Sequence, residues 1–123
     1  MAVRYLLDTS IRICIAKHDP PDVLAMSVVT LGELQHGAEK SQARSKALAA
    51  LLQLQTVIRV EPLTEAAGQH YGQIRSVLER KGQPIGNNDL WTTAHARSEG
   101  WVLVTHNERE FGRVDDLAVE NWV

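Results

Sequence analysis

The chain has 123 residues, of which 44% are hydrophobic and 23% are charged, and its formal net charge is −2. This composition predicts a single globular domain over residues 1–123, and it argues against a protein that holds nucleic acid mainly by general attraction to phosphates, because such proteins are usually basic. The sequence has one cysteine, Cys14, no apolar run of the roughly 20 residues that span a membrane, and no secretion signal. We therefore expect a cytoplasmic protein without an internal disulfide.

Short apolar runs alternate along the chain with longer segments of helical periodicity. The predicted strands cover residues 3–7, 26–29, 57–60, 101–104 and 117–119. The predicted helices cover residues 10–17, 30–39, 41–54, 65–81, 89–98 and 108–111. Because strands that alternate with helices are joined by right-handed crossovers, this pattern predicts an α/β fold with a parallel sheet and helices on both of its faces.

Polar side chains adjoin the ends of the predicted strands. Asp8 follows the first strand, and Asn107 follows the fourth. Glu33 lies in the first turn of the helix after the second strand, and Asp89 opens the helix that precedes the fourth. The carboxyl ends of parallel strands meet at one edge of a sheet, where open α/β sheets bind their ligands. We therefore expect these four side chains to share one cleft.

Each of these residues also has an ordinary structural explanation. Thr30 and Glu33 fit the capping box of a helix. Asp8 and Asp89 suit helix amino ends, where Asn87 or Asn88 are further candidates for a cap, and Asn107 can start a turn. Only the joint placement of these residues favours a functional site over these separate explanations.

Three carboxylates in one cleft would repel one another. Two carboxylates ~5 Å apart at an effective dielectric constant of ~20 repel by roughly 3 kcal/mol, so three mutual pairs approach ~10 kcal/mol, which is comparable with the stability of a whole domain. Such a cluster requires either a cation or raised pKa values. Hard oxygen ligands that leave several positions to water suit Mg²⁺ or Mn²⁺, which activate water in phosphodiester cleavage.

Five stretches of the chain also carry a family resemblance. They are LLDTS from residue 6, SVVTLGEL from residue 27, PIGNND from residue 84, LVTHN from residue 103 and VENW from residue 119. In this order they resemble the PIN-domain ribonucleases, specifically the VapC toxins of bacterial toxin–antitoxin pairs. The resemblance implies a three-layer α/β/α PIN-like fold with a central parallel sheet of about five strands in the order 3-2-1-4-5.

The resemblance also implies roles for individual residues. Asp8, Glu33 and Asp89 match the family's metal-binding acids, and Asn107 stands where relatives have Asp or Asn. Thr105 matches a small hydroxyl residue at the end of the fourth strand. This chain departs from the family pattern at four positions, which are Ser10, Thr92, Thr93 and His106. With Mg²⁺ or Mn²⁺, this set is expected to hydrolyse RNA to a 5′ phosphate and a 3′ hydroxyl.

The partners that the resemblance implies are a VapB-type antitoxin, a second toxin copy and an RNA substrate. A structured RNA loop is expected, with the tRNA anticodon region first and initiator tRNA as the leading candidate. Trp91 is a candidate for stacking on a base, and equally for the core or a dimer interface. Basic side chains near the cleft could contact phosphates.

Other functions remain open from the residues alone. The five histidines permit a metal-free ribonuclease that leaves a 2′,3′-cyclic phosphate and tolerates EDTA, although no spacing pairs them. A catalytically silent PIN-like module that only binds a partner would keep the fold and lose cleavage. A receiver-type signalling domain is disfavoured, because the sequence offers neither an Asp after the third strand nor a Lys after the last.

Overall fold

The computed structural model describes residues 3–8 and 23–122. The predicted helix at 10–17, with Ser10 and Cys14, lies outside the described residues. The described strands are β1 (Arg4–Leu7), β2 (Val23–Ser27), β3 (Arg59–Glu61), β4 (Val102–Val104) and β5 (Val119–Glu120). The described helices are α1 (Val28–Glu39), α2 (Arg44–Val57), α3 (Glu65–Arg80), α4 (Asn87–Glu99) and α5 (Glu108–Phe111).

The five strands form one parallel sheet in the order β3-β2-β1-β4-β5. This order confirms the predicted topology. The central strand β1 pairs with β2 through Leu6 and Ala25 and with β4 through Leu6 and Leu103. The register continues past the strand end, because the Asp8 amide donates to the Val104 carbonyl oxygen over 2.9 Å. Asp8 therefore lies at the carboxyl edge of the sheet, next to the end of β4.

Both faces of the sheet are buried, as the predicted three-layer arrangement requires. Tyr5 and Leu7 pack on one face with Met26, and Leu6 packs on the other with Phe111. This alternation follows from the two-residue period of a strand. A third apolar cluster joins α3 to α4 and holds Ile74, Leu78, Leu90, Ala94 and Val114. No helix in the described part of the chain is both long and apolar enough to span a membrane.

The predicted boundary between β2 and α1 is wrong. The sequence Met-Ser-Val-Val is rich in β-branched residues and predicts a strand, but the Ser27 hydroxyl accepts a hydrogen bond from the Val29 amide and starts α1 there. Ser27 is therefore the N-cap, and the predicted capping box of Thr30 and Glu33 is wrong as well. Glu33 has no capping role and stands in the second turn of α1, free for another function.

Boundaries of α2, β3 and α4 also differ from the predictions. α2 continues to Val57, so β3 begins two residues later than predicted, because the exposed Val57 side chain extends the helix instead of the sheet. α4 begins at Asn87 with Gly86 as its N-cap, so neither Asn87 nor Asn88 is the cap. Asp89 consequently lies within the first turn of α4.

Candidate active site

The Asp8 side chain is held in place by the neighbouring strand. The buried Thr105 hydroxyl, just past β4, donates a 2.8 Å hydrogen bond to Asp8 Oδ2. The same oxygen, Thr105 Oγ1, accepts a 3.0 Å hydrogen bond from the Asn107 amide. Thr105 therefore orients the Asp8 carboxylate and ties it to the turn that follows β4.

Glu33 reaches the same edge from α1. Partial burial and the charge of Asp8 raise the pKa of Glu33, while a hydrogen bond from the Asn88 side chain lowers it. Since Asn88 belongs to the first turn of α4, this bond links the two helices at the top of the cleft. Glu33 thus lies within electrostatic range of Asp8 and in direct contact with α4.

Asp89 is the most perturbed acid of the cleft. Its pKa is raised from 3.8 to about 6, first by burial, then by the charges of Asp8, Glu110 and Glu33, and last by a hydrogen bond with Glu110. The backbone also passes close by, because a Cβ atom at Gly86 would lie 3.6 Å from Asp89 Oδ2. Three acids, Asp8 after β1, Glu33 on α1 and Glu110 on α5, therefore surround Asp89 in one cleft.

Glu110 is the functional candidate that the sequence reasoning missed. Its Oε2 accepts a 2.7 Å hydrogen bond from Asn107 Nδ2, and its Oε1 accepts a 3.3 Å bond from the Gly86 amide. A signal for it exists in the sequence, because Asn107 and Glu110 have the spacing of a helix cap and its third residue. The Asn107 Oδ1 does cap the Glu110 amide of α5.

The structure brings together three of the predicted acids, Asp8, Glu33 and Asp89. Asn107 lies at the same edge, but its side chain contacts Glu110 and none of the three acids through a described hydrogen bond. Thr105 lies beneath Asp8, as its position after β4 predicts. Ser10 is outside the described residues. The fourth polar position of the cleft is therefore occupied by the Asn107–Glu110 pair.

The donor set of this cleft fits a hard divalent cation. All candidate ligands are carboxylate oxygens, which Mg²⁺ and Mn²⁺ prefer. Among residues 3–8 and 23–122, no three His, Cys, Asp or Glu side chains are gathered into a ready-made ion site. Mg²⁺ usually keeps several waters and binds through one or two carboxylates, so it does not need a ready-made group of three protein ligands.

The raised pKa of Asp89 predicts a specific pH response. Its folded-state pKa of about 6 exceeds the 3.8 of the unstructured residue. Protonation therefore favours the fold, and this group adds stability to the metal-free protein as the pH falls from ~7 through ~6 towards ~4. Divalent ions compete with the same proton, so Mn²⁺ affinity should fall over the same range.

Thermal unfolding between pH ~7.5 and ~5 checks the predicted rise in stability, and Mn²⁺ titration over the same range checks the predicted fall in affinity. Other groups also titrate in this range, so the difference between the wild type and Asp89→Asn isolates the contribution of Asp89. The stability difference should be largest near pH ~7.5 and about half as large near pH ~5. A difference independent of pH would show that Asp89 titrates normally.

Other predicted candidates have partners outside the group of acids. Trp91 stacks on Tyr71 of α3, with ring centroids 4.0 Å apart and an interplanar angle of 19°. His95 is buried, and its Nδ1 lies 2.8 Å from the Ser27 hydroxyl. His70 accepts a hydrogen bond from Arg97. Neither His95 nor His70 is therefore paired with another histidine.

Comparison with known proteins identifies the family of the chain. Residues 5–117 match the PIN domain family. The chain is 41% identical to the tRNA(fMet)-specific endonuclease VapC of Shigella flexneri, over 98% of each protein. It is 39% identical to the ribonuclease VapC2 of Haemophilus influenzae, over 98% of this chain and 99% of the relative.

A solved structure agrees with the sequence comparison. VapBC-1 from nontypeable Haemophilus influenzae superposes with a TM-score of 0.88 and 37% identity, covering 98% of each chain. The resemblance predicted from the five sequence stretches is thereby confirmed. With a matching domain over nearly the whole chain and relatives near 40% identity, this chain belongs to the PIN-domain ribonucleases of the VapC family.

Proposed function

We propose that this chain is a toxin endoribonuclease that requires Mg²⁺ or Mn²⁺ and hydrolyses a phosphodiester bond in a structured RNA loop. One observation carries the proposal. Burial, together with the negative charges of Asp8, Glu110 and Glu33, raises the pKa of Asp89 to about 6. A fold that tolerates this repulsion gains from a cation that relieves it.

The residues have distinct roles in this proposal. Asp8, Glu33 and Asp89 would hold the metal, with Glu110 as the fourth acid. When bound, a divalent ion activates water and neutralises phosphate charge. Thr105 orients the Asp8 carboxylate, and Asn107 orients Glu110 through its 2.7 Å hydrogen bond. Both are positioning residues, because each acts through an acid that it contacts.

The proposed substrate is a tRNA, with cleavage in the anticodon region of initiator tRNA. The Shigella flexneri relative, named a tRNA(fMet)-specific endonuclease, supports this assignment at 41% identity. Cleavage of initiator tRNA would inhibit translation, which is the effect expected of a toxin.

The proposed partners are a VapB-type antitoxin and a second copy of the chain. The solved Haemophilus relative is a VapBC-1 structure. Two apolar side chains on α2 are also open to a partner, since Leu52 is 67% exposed and Val57 is 66% exposed. Isolated apolar side chains are common on surfaces, so these two residues support a contact on α2 without defining its extent.

The chemistry of the cut ends tests the reaction directly. Brief expression followed by sequencing of RNA ends should show new 5′ phosphates and 3′ hydroxyls, concentrated in one tRNA. Purified protein should cleave the same RNA with Mg²⁺ or Mn²⁺ and lose this activity in EDTA. Cleavage that persists in EDTA with 2′,3′-cyclic phosphate ends would instead indicate histidine acid–base catalysis and overturn the proposal.

A further inference from the structure

The two helices that carry Glu33 and Asp89 meet through polar side chains. Ser27 and Thr30 at the start of α1 and Thr92 and His95 of α4 are each no more than 2% exposed. We call these four residues the polar seam. A contact between helices is normally apolar, and buried hydroxyl and imidazole groups are tolerated only when they are hydrogen-bonded. The polar seam therefore needs an explanation.

The polar seam is ordered as an antiparallel series of pairs. At one end, the Ser27 hydroxyl lies 2.8 Å from His95 Nδ1. At the other, beyond the seam, Asn88 hydrogen-bonds Glu33. Residues three or four apart on a helix share a side, so Thr30 lies between Ser27 and Glu33 while Thr92 lies between His95 and Asn88. Thr30 and Thr92 therefore form the middle pair.

The middle pair differs from its neighbours on either side. The hydroxyls of Thr30 and Thr92 are buried and have no hydrogen-bond partner within the described residues. Hydrogen-bonded pairs lie on both sides of them along two packed helices. Helical spacing therefore places the two hydroxyls opposite each other. Each hydroxyl can donate and accept a hydrogen bond, and a buried water molecule requires such polar partners in an enclosed site.

We propose that Thr30 and Thr92 hold one buried water molecule between α1 and α4, and that the polar seam thereby sets the separation of Glu33 and Asp89. Hydrogen bonds have narrow ranges of distance and angle, so bonds through a shared water would hold the two helices at a defined separation. The second half of this inference rests on the proposed metal-dependent function. Thr30, Thr92 and His95 are positioning residues, because they act through the acids on their own helices.

The sign of a stability change tests the water. Thr30→Val and Thr92→Val keep the shape of the side chain and replace the hydroxyl with a methyl group. If a water is bound, each variant loses hydrogen bonds to it, and the Tm should fall by about 4 °C. If the contact is dry, each variant removes an unpaired buried hydroxyl, and the Tm should rise. A rise in both variants overturns the first half of the inference.

Nuclear magnetic resonance detects the water without any metal. In the metal-free protein, the methyl groups of Thr30 and Thr92 should show cross-relaxation with a long-lived water. In the Thr30→Val variant, the cross-relaxation signal between the Thr92 methyl group and this water should disappear. Absence of the signals from the wild type overturns the first half of the inference independently of the Tm.

Mn²⁺ titration tests the second half. Replacing a residue that supports a metal ligand typically weakens binding at least about 10-fold, so Thr92→Val and His95→Leu should bind Mn²⁺ about 10-fold more weakly than the wild type. Thr92→Ser keeps the hydroxyl and should restore the affinity. The matched control is Ile74→Val, which trims the apolar α3–α4 cluster and should lower the Tm without weakening Mn²⁺ binding.

The outcomes separate this inference from the proposed function. If the wild type binds Mn²⁺ and both Thr92→Val and His95→Leu bind it with the same affinity, the spacing role alone is overturned. A wild type that takes up no Mn²⁺ overturns the proposed function and the spacing role together. In that case the resonance and Tm measurements still decide whether the water is present.

Discussion

Replacing Asp89 by Asn should abolish RNA cleavage and, at the same time, stabilise the metal-free protein. Loss of a metal-binding acid removes several kcal/mol of transition-state stabilisation, so we expect the cleavage rate to fall by about 1000-fold. The pKa of Asp89, raised from 3.8 to about 6, shows that its charge is unfavourable in the fold. Because the group is partly exposed, solvent screening leaves about 1 kcal/mol of relief, or a rise in Tm of about 2–6 °C.

The measurements are the rate of RNA cleavage with Mg²⁺ and the Tm in EDTA. Asp116→Asn is the matched control, because it makes the same chemical change at an exposed residue that adopts a φ of 60°. Asn tolerates this left-handed backbone well, so the control should change neither quantity. If Asp89→Asn cleaves RNA at the wild-type rate, or if its Tm falls in EDTA, Asp89 is not part of a repulsive metal-binding cleft.

Replacing Glu110 by Gln should reduce RNA cleavage by about 100-fold. The glutamate contributes charge to the cleft, since it raises the pKa of Asp89 by its charge and by a hydrogen bond. The glutamine keeps the size of the side chain but removes that charge, and loss of one well-placed electrostatic group commonly costs two to three orders of magnitude in rate. Cleavage kinetics at saturating Mg²⁺ measure the effect.

Two comparisons show whether Glu110 or Asn107 is the fourth functional side chain of the cleft, beside Asp8, Glu33 and Asp89. Asn107→Ala should cost only about 10-fold, because Asn107 acts through Glu110, and the double variant should be little worse than Glu110→Gln alone. Glu108→Gln changes an exposed glutamate on the same short helix and should leave the rate unchanged. A larger loss in Asn107→Ala than in Glu110→Gln would assign the fourth position to Asn107.

Much of the fold could be predicted from the sequence because its strands are buried on both faces. The apolar run before Asp8 and the run before Thr105 are unbroken, and the structure places them side by side as β1 and β4. Local signals also located α3 well, since Thr64 caps it through a 3.2 Å hydrogen bond from the Ala67 amide. These features depend on short stretches of chain that carry their own signal.

The errors arose where tertiary contacts decide the structure. Val28 and Val29 favour a strand by propensity, yet Ser27 starts a helix there because its hydroxyl is held between the Val29 amide and His95. Glu110 was missed because its role depends on Gly86, which lies 24 residues away in the chain. The burial of the Thr30 and Thr92 hydroxyls likewise depends on how α1 packs against α4.

The central claim is that acids from distant parts of the chain share a divalent cation. Calorimetric titration of Mn²⁺ into the metal-free protein near pH ~7.5, comparing the wild type with Asp8→Asn and with the Asp116→Asn control, tests it most directly. We predict saturable binding by the wild type and the control, and loss of that binding in Asp8→Asn. Equal binding by Asp8→Asn and the wild type, or no binding by either, would contradict the claim.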